Sequence, residues 1–152
     1  AHEANAPGEV SKKTLDILKS FNSEDCKKVE LFSKYTVYKD YSYFIFSGIG
    51  TEPKDYFSRR FIQHLDFLGV VNGSLASMDF MPGEVHLFEY YGREVALINT
   101  TQDKITCLCC TSTFSGTQIM NTIKGQIDVD AFKKVHEIFE KLGLDFSVNE
   151  IE

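Results

Sequence analysis

Apolar side chains recur at helical spacing near both ends of the chain. Over 11–21, Leu15, Leu18 and Phe21 lie three residues apart and predict a short amphipathic helix. Over 128–144, apolar residues again lie three or four positions apart, which predicts a longer helix. The expected ends of this second helix are an N-cap at Asp128 or Asp130 and a left-handed glycine at Gly143.

Between these two helices the pattern is typical of β-strands. In 56–68, Phe61, Leu65 and Phe67 alternate with polar residues, whereas 41–49 is aromatic and β-branched almost throughout. We also expect a break at Pro53, a hairpin turn at Asn72-Gly73 and a last extended segment at 144–152. The eight strands are expected over 29–38, 41–49, 56–68, 75–80, 85–91, 94–99, 104–112 and 117–124.

This series of short strands indicates a mainly β protein. Sequential antiparallel strands protect their edges best by closing into a barrel, so we expect an eight-stranded up-and-down barrel. The short N-terminal helix precedes the barrel, and the C-terminal helix packs on its outside. A chain of 152 residues suits one core, so 10–152 is expected to form a single domain after a loose arm at 1–9.

The charge balance and the length of the apolar runs each argue against one class of partner. With 16 basic and 22 acidic residues the net charge is −6, and the basic residues are scattered, which disfavours nucleic acid binding. Apolar runs in the sequence are shorter than the roughly 20 residues that a membrane-spanning helix requires. We therefore expect no nucleic acid partner and no membrane span.

Three cysteines fall within four positions, at Cys107, Cys109 and Cys110, and Cys26 lies far upstream. On a strand, Cys107 and Cys109 point to one face and Cys110 to the other, so the thiols do not converge on a metal or a redox centre. A disulfide between Cys26 and one of the three is the expected bond. The remaining two are either small buried side chains or the source of a disulfide-linked dimer.

Two glycosylation triplets begin at Asn72 and Asn99, both at predicted turns. Together with the even number of cysteines, they favour a secreted, extracellular protein.

The 13 Phe and seven Tyr residues give the clearest indication of ligand binding. Glu89 and Asp79 lie in apolar strand segments, where an inward carboxylate could pair with a cationic ligand. No arrangement of His, Ser, Cys and Asp supports a catalytic site, so we expect no enzyme activity, no metal and no cofactor. The strand residues expected to line an apolar pocket are Tyr43, Ile45, Phe61, Leu65, Met78, Phe88, Tyr90, Leu97 and Ile119.

The C-terminal order of a strand at 117–126, an acidic cap, a helix at 130–144 and a strand at 146–152 resembles the end of a lipocalin. The Gly-x-Trp signature of that family is absent, because the chain contains no Trp. The divergence is similar to that of arthropod lipocalins, such as the salivary proteins of ticks. The resemblance implies a central cavity for a small molecule, with biogenic amines, eicosanoids and sterols among the implied ligands, and a role against host defence.

These observations lead to one main functional hypothesis and one alternative. The first is a secreted carrier or scavenger that binds one small hydrophobic or amphipathic ligand, such as a sterol, fatty acid or eicosanoid, and modulates host immune or inflammatory responses. The alternative is an interaction module whose surface loops bind a host immune protein or cell, with an incidental cavity.

Overall fold

A computed structural model describes residues 10–47, 59–123 and 125–149 as one sheet with helices on both of its faces. The predicted arm at 1–9 and the predicted break at Pro53 lie outside these residues. The helices are α1 (Lys12–Lys19), α2 (Ser23–Ser33), α3 (Arg59–Phe67), α4 (Phe114–Ile123) and α5 (Val129–Lys141). The strands are β1 (Val37–Lys39), β2 (Ser42–Ser47), β3 (Ala76–Phe80), β4 (Val85–Tyr90), β5 (Arg93–Asn99), β6 (Ile105–Thr111) and β7 (Leu144–Asn149).

The described strands form a seven-stranded sheet in the order β3-β6-β2-β1-β4-β5-β7, in which every pair is antiparallel. The prediction of a mainly β protein with an antiparallel sheet is therefore confirmed. The predicted barrel and its eight strands are not, because the described sheet is open, with β3 and β7 at its edges. The order also differs from an up-and-down meander, since β2 pairs with β6 and β5 with β7.

Three predicted strands contain helices instead. The segment 29–38 divides into the end of α2 and the short strand β1, 56–68 contains α3, and 117–124 overlaps α4. The turn at Asn72-Gly73 also joins α3 to β3 rather than two paired strands. The segment 117–124 carried the resemblance to a last barrel strand, so that element of the resemblance is wrong.

As far as they lie within the described residues, the other predicted helices and strands are confirmed, and the ends of several elements have clear causes. The Asp128 side chain accepts bonds from two backbone N–H groups at the start of α5, and Gly143 follows the helix at φ +88. Helix α2 begins with a capping box, in which Asn22 and Asp25 each accept the other's backbone N–H. The turn between β4 and β5 consists of Tyr91 and Gly92, both at positive φ.

Two cores lie on opposite faces of the sheet. The first core packs α5, through residues such as Phe139, against strand side chains such as Phe46 and Leu97. The second core packs the helices α1 to α4 against β2 and β6, where Ile45 and Cys110 are buried. Because successive strand residues alternate between faces, neighbouring residues of one strand belong to different cores.

Within the described residues, the helices cover only part of the face that carries the second core. The strand residues of that core come from β2 and β6, whereas Val85 and Leu87 of β4 remain about half exposed on the same face, beside the buried Ala96 of β5. Among the described residues, no helix packs against this face of β4, β5 and β7. The uncovered half of this face is called the open face below.

Candidate functional site

The nine predicted pocket residues are divided between the two cores. Tyr43, Ile45, Leu65 and Ile119 belong to the second core, with Phe61 packed against it. Phe88, Tyr90 and Leu97 belong to the first core, with Met78 packed against it. These side chains therefore do not line one common interior in this structure, although Tyr43 and Phe88 also border surface cavities.

The cysteine strand has the predicted alternation. Cys107 and Cys109 are buried in the first core, and Cys110 is buried in the second. All four cysteines are free thiols in the structure, with Cys26 exposed on α2, so the predicted disulfide is not formed. Burial raises the pKa of Cys107 to about 11 and that of Cys110 to about 12, and it also raises the pKa of Cys109. The three thiols of the strand consequently stay protonated at neutral pH.

The two glycosylation triplets differ sharply in their surroundings. Asn72 is exposed, whereas Asn99 is 1% exposed. The Asn99 Nδ2 donates hydrogen bonds to the carbonyl oxygens of Phe80 and Asp103, both at 2.8 Å. A glycan on Asn99 would replace one of the two donated hydrogens and would need space that this buried nitrogen does not have, so Asn72 is the triplet that the fold leaves accessible.

The candidate metal ligands do not cluster within the described part of the chain. No group of three or more His, Cys, Asp or Glu residues there is close enough together to hold a metal ion. The strand carboxylate of Asp79 is exposed and accepts a hydrogen bond from Thr106 at 2.7 Å. None of the described helices is both long enough and apolar enough to cross a bilayer.

The other predicted carboxylate, Glu89, lies at the margin of the second core and borders a cavity of about 390 Å³. The aromatic side chains around this cavity are Tyr38 of β1, Tyr43 of β2 and Tyr91 of the β4–β5 turn. Its volume falls within the range of small-molecule sites. We call the cavity, with its adjoining space described below, the tyrosine cleft. Gly92, Asn121 and Gly125 complete its lining.

Helix α4 and the sheet together fix the aromatic wall of the tyrosine cleft. The Tyr38 and Tyr43 rings lie beside each other with centroids 4.9 Å apart and planes tilted by 57°, because the two residues are directly opposite in the β1–β2 ladder. The Tyr43 hydroxyl donates a 2.5 Å hydrogen bond to the Asn121 Oδ1. Asn121 is held over the sheet because Gly116 of the same helix lies against the Val70 backbone, where a Cβ atom would overlap the carbonyl oxygen.

The acidic wall contains an unfavourable charge pair. Glu89 and Glu94 are directly opposite in the β4–β5 ladder, an arrangement that destabilises an antiparallel pair when both residues are ionised. Glu89 is also the register partner of Tyr38, so its carboxylate lies on the same face as the tyrosine rings. A bound cation would relieve the repulsion between the two carboxylates.

Tyr91 has a backbone conformation that bulky residues rarely adopt. Its φ is +52, in the left-handed region, where Asn or Gly is the usual residue of a two-residue hairpin turn. This conformation places its ring against Tyr90, with centroids 4.9 Å apart, and at the edge of the cavity. Strained backbone persists where the surroundings impose it and is frequent at binding sites.

A second space, of about 240 Å³, adjoins the first and shares Tyr38, Glu89 and Gly92 with it. Glu94 and Leu87 line it as well. The ammonium group of Lys39, which also lines this space, lies 5.0 Å above the Phe88 ring. The carboxylates of Asp40, Glu89 and Glu94 line the same space and outnumber this ammonium group, so the described lining of the tyrosine cleft has a negative charge.

The environment keeps the tyrosine hydroxyls protonated. Burial, followed by the charges of Tyr38 and Glu89, raises the pKa of Tyr43 to about 12. Burial, followed by the charge of Glu89, also raises the pKa of Tyr38. The tyrosine cleft therefore offers aromatic faces and neutral hydroxyls beside carboxylates, a combination suited to an organic cation.

Sequence reasoning identified Glu89 and Tyr43 but missed Tyr38, Tyr91 and Glu94. The signal it lacked is their clustering, since every described tyrosine lies within 35–43 or 90–91.

Comparisons with protein-family models, with curated proteins and with solved structures found no match for this chain.

Proposed function

We propose that this protein is a binding protein for one small amphipathic molecule that carries a positively charged nitrogen. The observation that carries this proposal is the position of Glu89, opposite Glu94 and on the same sheet face as the Tyr38 and Tyr43 rings. A cation over these rings gains from the negative ring faces as well as from the carboxylates. As a carrier or scavenger, the protein would hold this ligand without transforming it.

The electrostatics narrow the ligand classes that the sequence suggested. Fatty acids and eicosanoids carry a carboxylate, which Glu89 and Glu94 would repel. A neutral sterol would gain no electrostatic attraction from Glu89 and Glu94. An ammonium ion with an apolar body satisfies both the carboxylates and the rings, so we favour it over the other expected classes.

Titration of the native protein with phenethylammonium, followed by NMR, tests this proposal. We expect saturable shifts at Tyr38, Glu89 and Tyr91, and we expect none with 3-phenylpropionate, which has a similar body and the opposite charge. Glu89→Gln should weaken phenethylammonium binding about tenfold, the loss expected for one charge-assisted contact.

Glu137→Gln is the matched control, because Glu137 is exposed on α5, the helix that covers the other face of the sheet. It should bind phenethylammonium with wild-type affinity. Equal binding of the ammonium and the carboxylate probe would contradict the proposal, as would an unchanged affinity in Glu89→Gln.

A further inference from the structure

The open face continues directly from the tyrosine cleft. Along β4, Glu89, Leu87 and Val85 point to the same face because strand side chains alternate. Leu87 lines the smaller space of the cleft together with Glu89. The carboxylate end of the cleft therefore passes without interruption into an apolar surface.

Cross-strand pairing widens this apolar surface into a shallow strip. Val85 is opposite Ile98, and Leu87 is opposite Ala96, so two apolar rows extend from β4 onto β5. Ile98 and Ala96 pair in turn with Asp145 and Ser147 of the next strand, β7, and these two residues give the strip a polar border.

The β4 row is the exposed part of the strip, since Ala96 on β5 is 8% exposed. Val85 is 51% and Leu87 49% exposed, whereas Ile45 and Cys110 on the covered half of the same face are 5% and 1% exposed. Covering two half-exposed aliphatic side chains is favourable in proportion to the area removed from water. The acidic end of the strip argues against a second copy of this acidic chain as the cover, because like charges would meet.

We propose that the open face binds the apolar chain of the same ligand whose cationic group occupies the tyrosine cleft, so that the ligand class is a long-chain organic cation. This inference rests on the proposed function and adds the length of the ligand to it. From Glu89 to Val85 the strand spans roughly 14 Å, which an extended chain of about ten carbon atoms would cover. The chain lies along Leu87 and Val85 while the ammonium group pairs with Glu89.

The experiment is a series of n-alkyltrimethylammonium ions with chains of two to twelve carbons, titrated below micelle formation by calorimetry. For the wild-type protein we expect the affinity to rise by about fourfold per methylene where the group is fully buried, and by only about twofold per pair of methylenes where it is partly buried. The rise should level off near ten carbons. Glu89→Gln should lower all affinities by a similar factor. Val85→Ser should lower only those of the longer chains.

Leu15→Ser is the matched control, because Leu15 is an aliphatic residue on α1 that is 45% exposed. It should leave both the affinities and their dependence on chain length unchanged. Sedimentation of the wild-type and Val85→Ser proteins without probe reports whether the open face joins two copies instead.

The possible results separate the two proposals. Binding that depends on Glu89 but not on chain length would overturn the role of the open face and leave the proposed function standing. Binding that depends on chain length but not on Glu89 would overturn both, as would no binding. Dimerisation that Val85→Ser abolishes would also overturn the placement of the ligand chain on the open face.

Discussion

At the scale of single residues, the cysteine strand illustrates how alternation separates groups that are adjacent in sequence. Cys109 and Cys110 are neighbours in the chain, yet the first is buried among the residues of one core and the second among those of the other. The Cys110 thiol donates to the Asn72 carbonyl at 3.1 Å. All three thiols therefore behave as small core residues, the alternative that the sequence left open for the two cysteines outside the expected disulfide.

We predict that iodoacetamide at pH 8 modifies one cysteine of the native protein, namely Cys26. It is the exposed one of the four, whereas burial keeps the other three inaccessible and raises their pKa values above their usual value of 9.0. Intact-mass measurement should show one added group before denaturation and four after it. Cys26→Ser is the control and should acquire none in the native state.

A native protein that takes up two or more groups, or that takes up none until it is reduced, would contradict this prediction. The second outcome would also restore the disulfide that the sequence led us to expect.

At the scale of elements, two exposed side chains explain why strands were predicted where helices occur. In 56–68 the alternating pattern depended on Phe67, which is 87% exposed at the end of α3. Without Phe67, the partly or fully buried apolar residues Phe61, Leu65 and Leu68 have helical spacing. In α2, Leu31 has the same effect, since it is 44% exposed while Val29 and Phe32 are buried.

Where capping residues flanked a pattern, the sequence predicted the element correctly. Asp128 and Gly143 delimit α5 as expected, because their preferences act locally and do not depend on the rest of the fold. The tyrosine cleft could not be predicted in the same way. Tyr38 meets Glu89 only through the pairing of β1 with β4, and nothing local in the sequence specifies that pairing.

The capping box of α2 gives a prediction about pH. The pKa of Asp25 lies below its usual value of 3.8, first because of a hydrogen bond with His64 and next because of the Asn22 N–H. A carboxyl group whose pKa is lower in the folded state than in the unfolded state stabilises the folded protein at pH values above the unfolded-state pKa. That stability is lost as the pH falls through the folded value.

Asp25→Asn should therefore be less stable than the wild-type protein at pH 6, and the two should converge as the pH falls from 4 towards 2. Urea denaturation at each pH measures the difference. His64→Gln should show the same convergence, because it removes the largest cause of the lowered pKa. A stability difference that is independent of pH would show that the Asp25 carboxylate does not act through its charge.

At the scale of the whole molecule, one sheet is shared by two cores. The strands β2 and β6 contribute to both, since Phe46 and Cys109 point to one side and Ile45 and Cys110 to the other. The helices α1 to α4 also meet one another, and α1 packs on α4 through contacts such as the 2.6 Å hydrogen bond from the Thr14 hydroxyl to Gln118. Neither layer of helices can separate without exposing apolar strand residues that the other layer does not cover.

This sharing predicts that the protein unfolds in a single cooperative transition, whichever core is weakened. Leu65→Ala in the second core and Phe139→Ala in the first should each destabilise by about 2 to 5 kcal/mol, the usual cost of truncating a buried side chain of this size. Far-UV circular dichroism reports mainly the helices, whereas tyrosine fluorescence reports the sheet, because the chain has no Trp and its described tyrosines lie within 35–43 and 90–91. The two signals should coincide in the wild-type protein and in both variants. A Phe139→Ala protein whose tyrosine signal changed before its helical signal would show instead that β4, β5 and β7 form a separate unit with α5, although Phe46 of β2 packs on Phe88 and β1 pairs with β4.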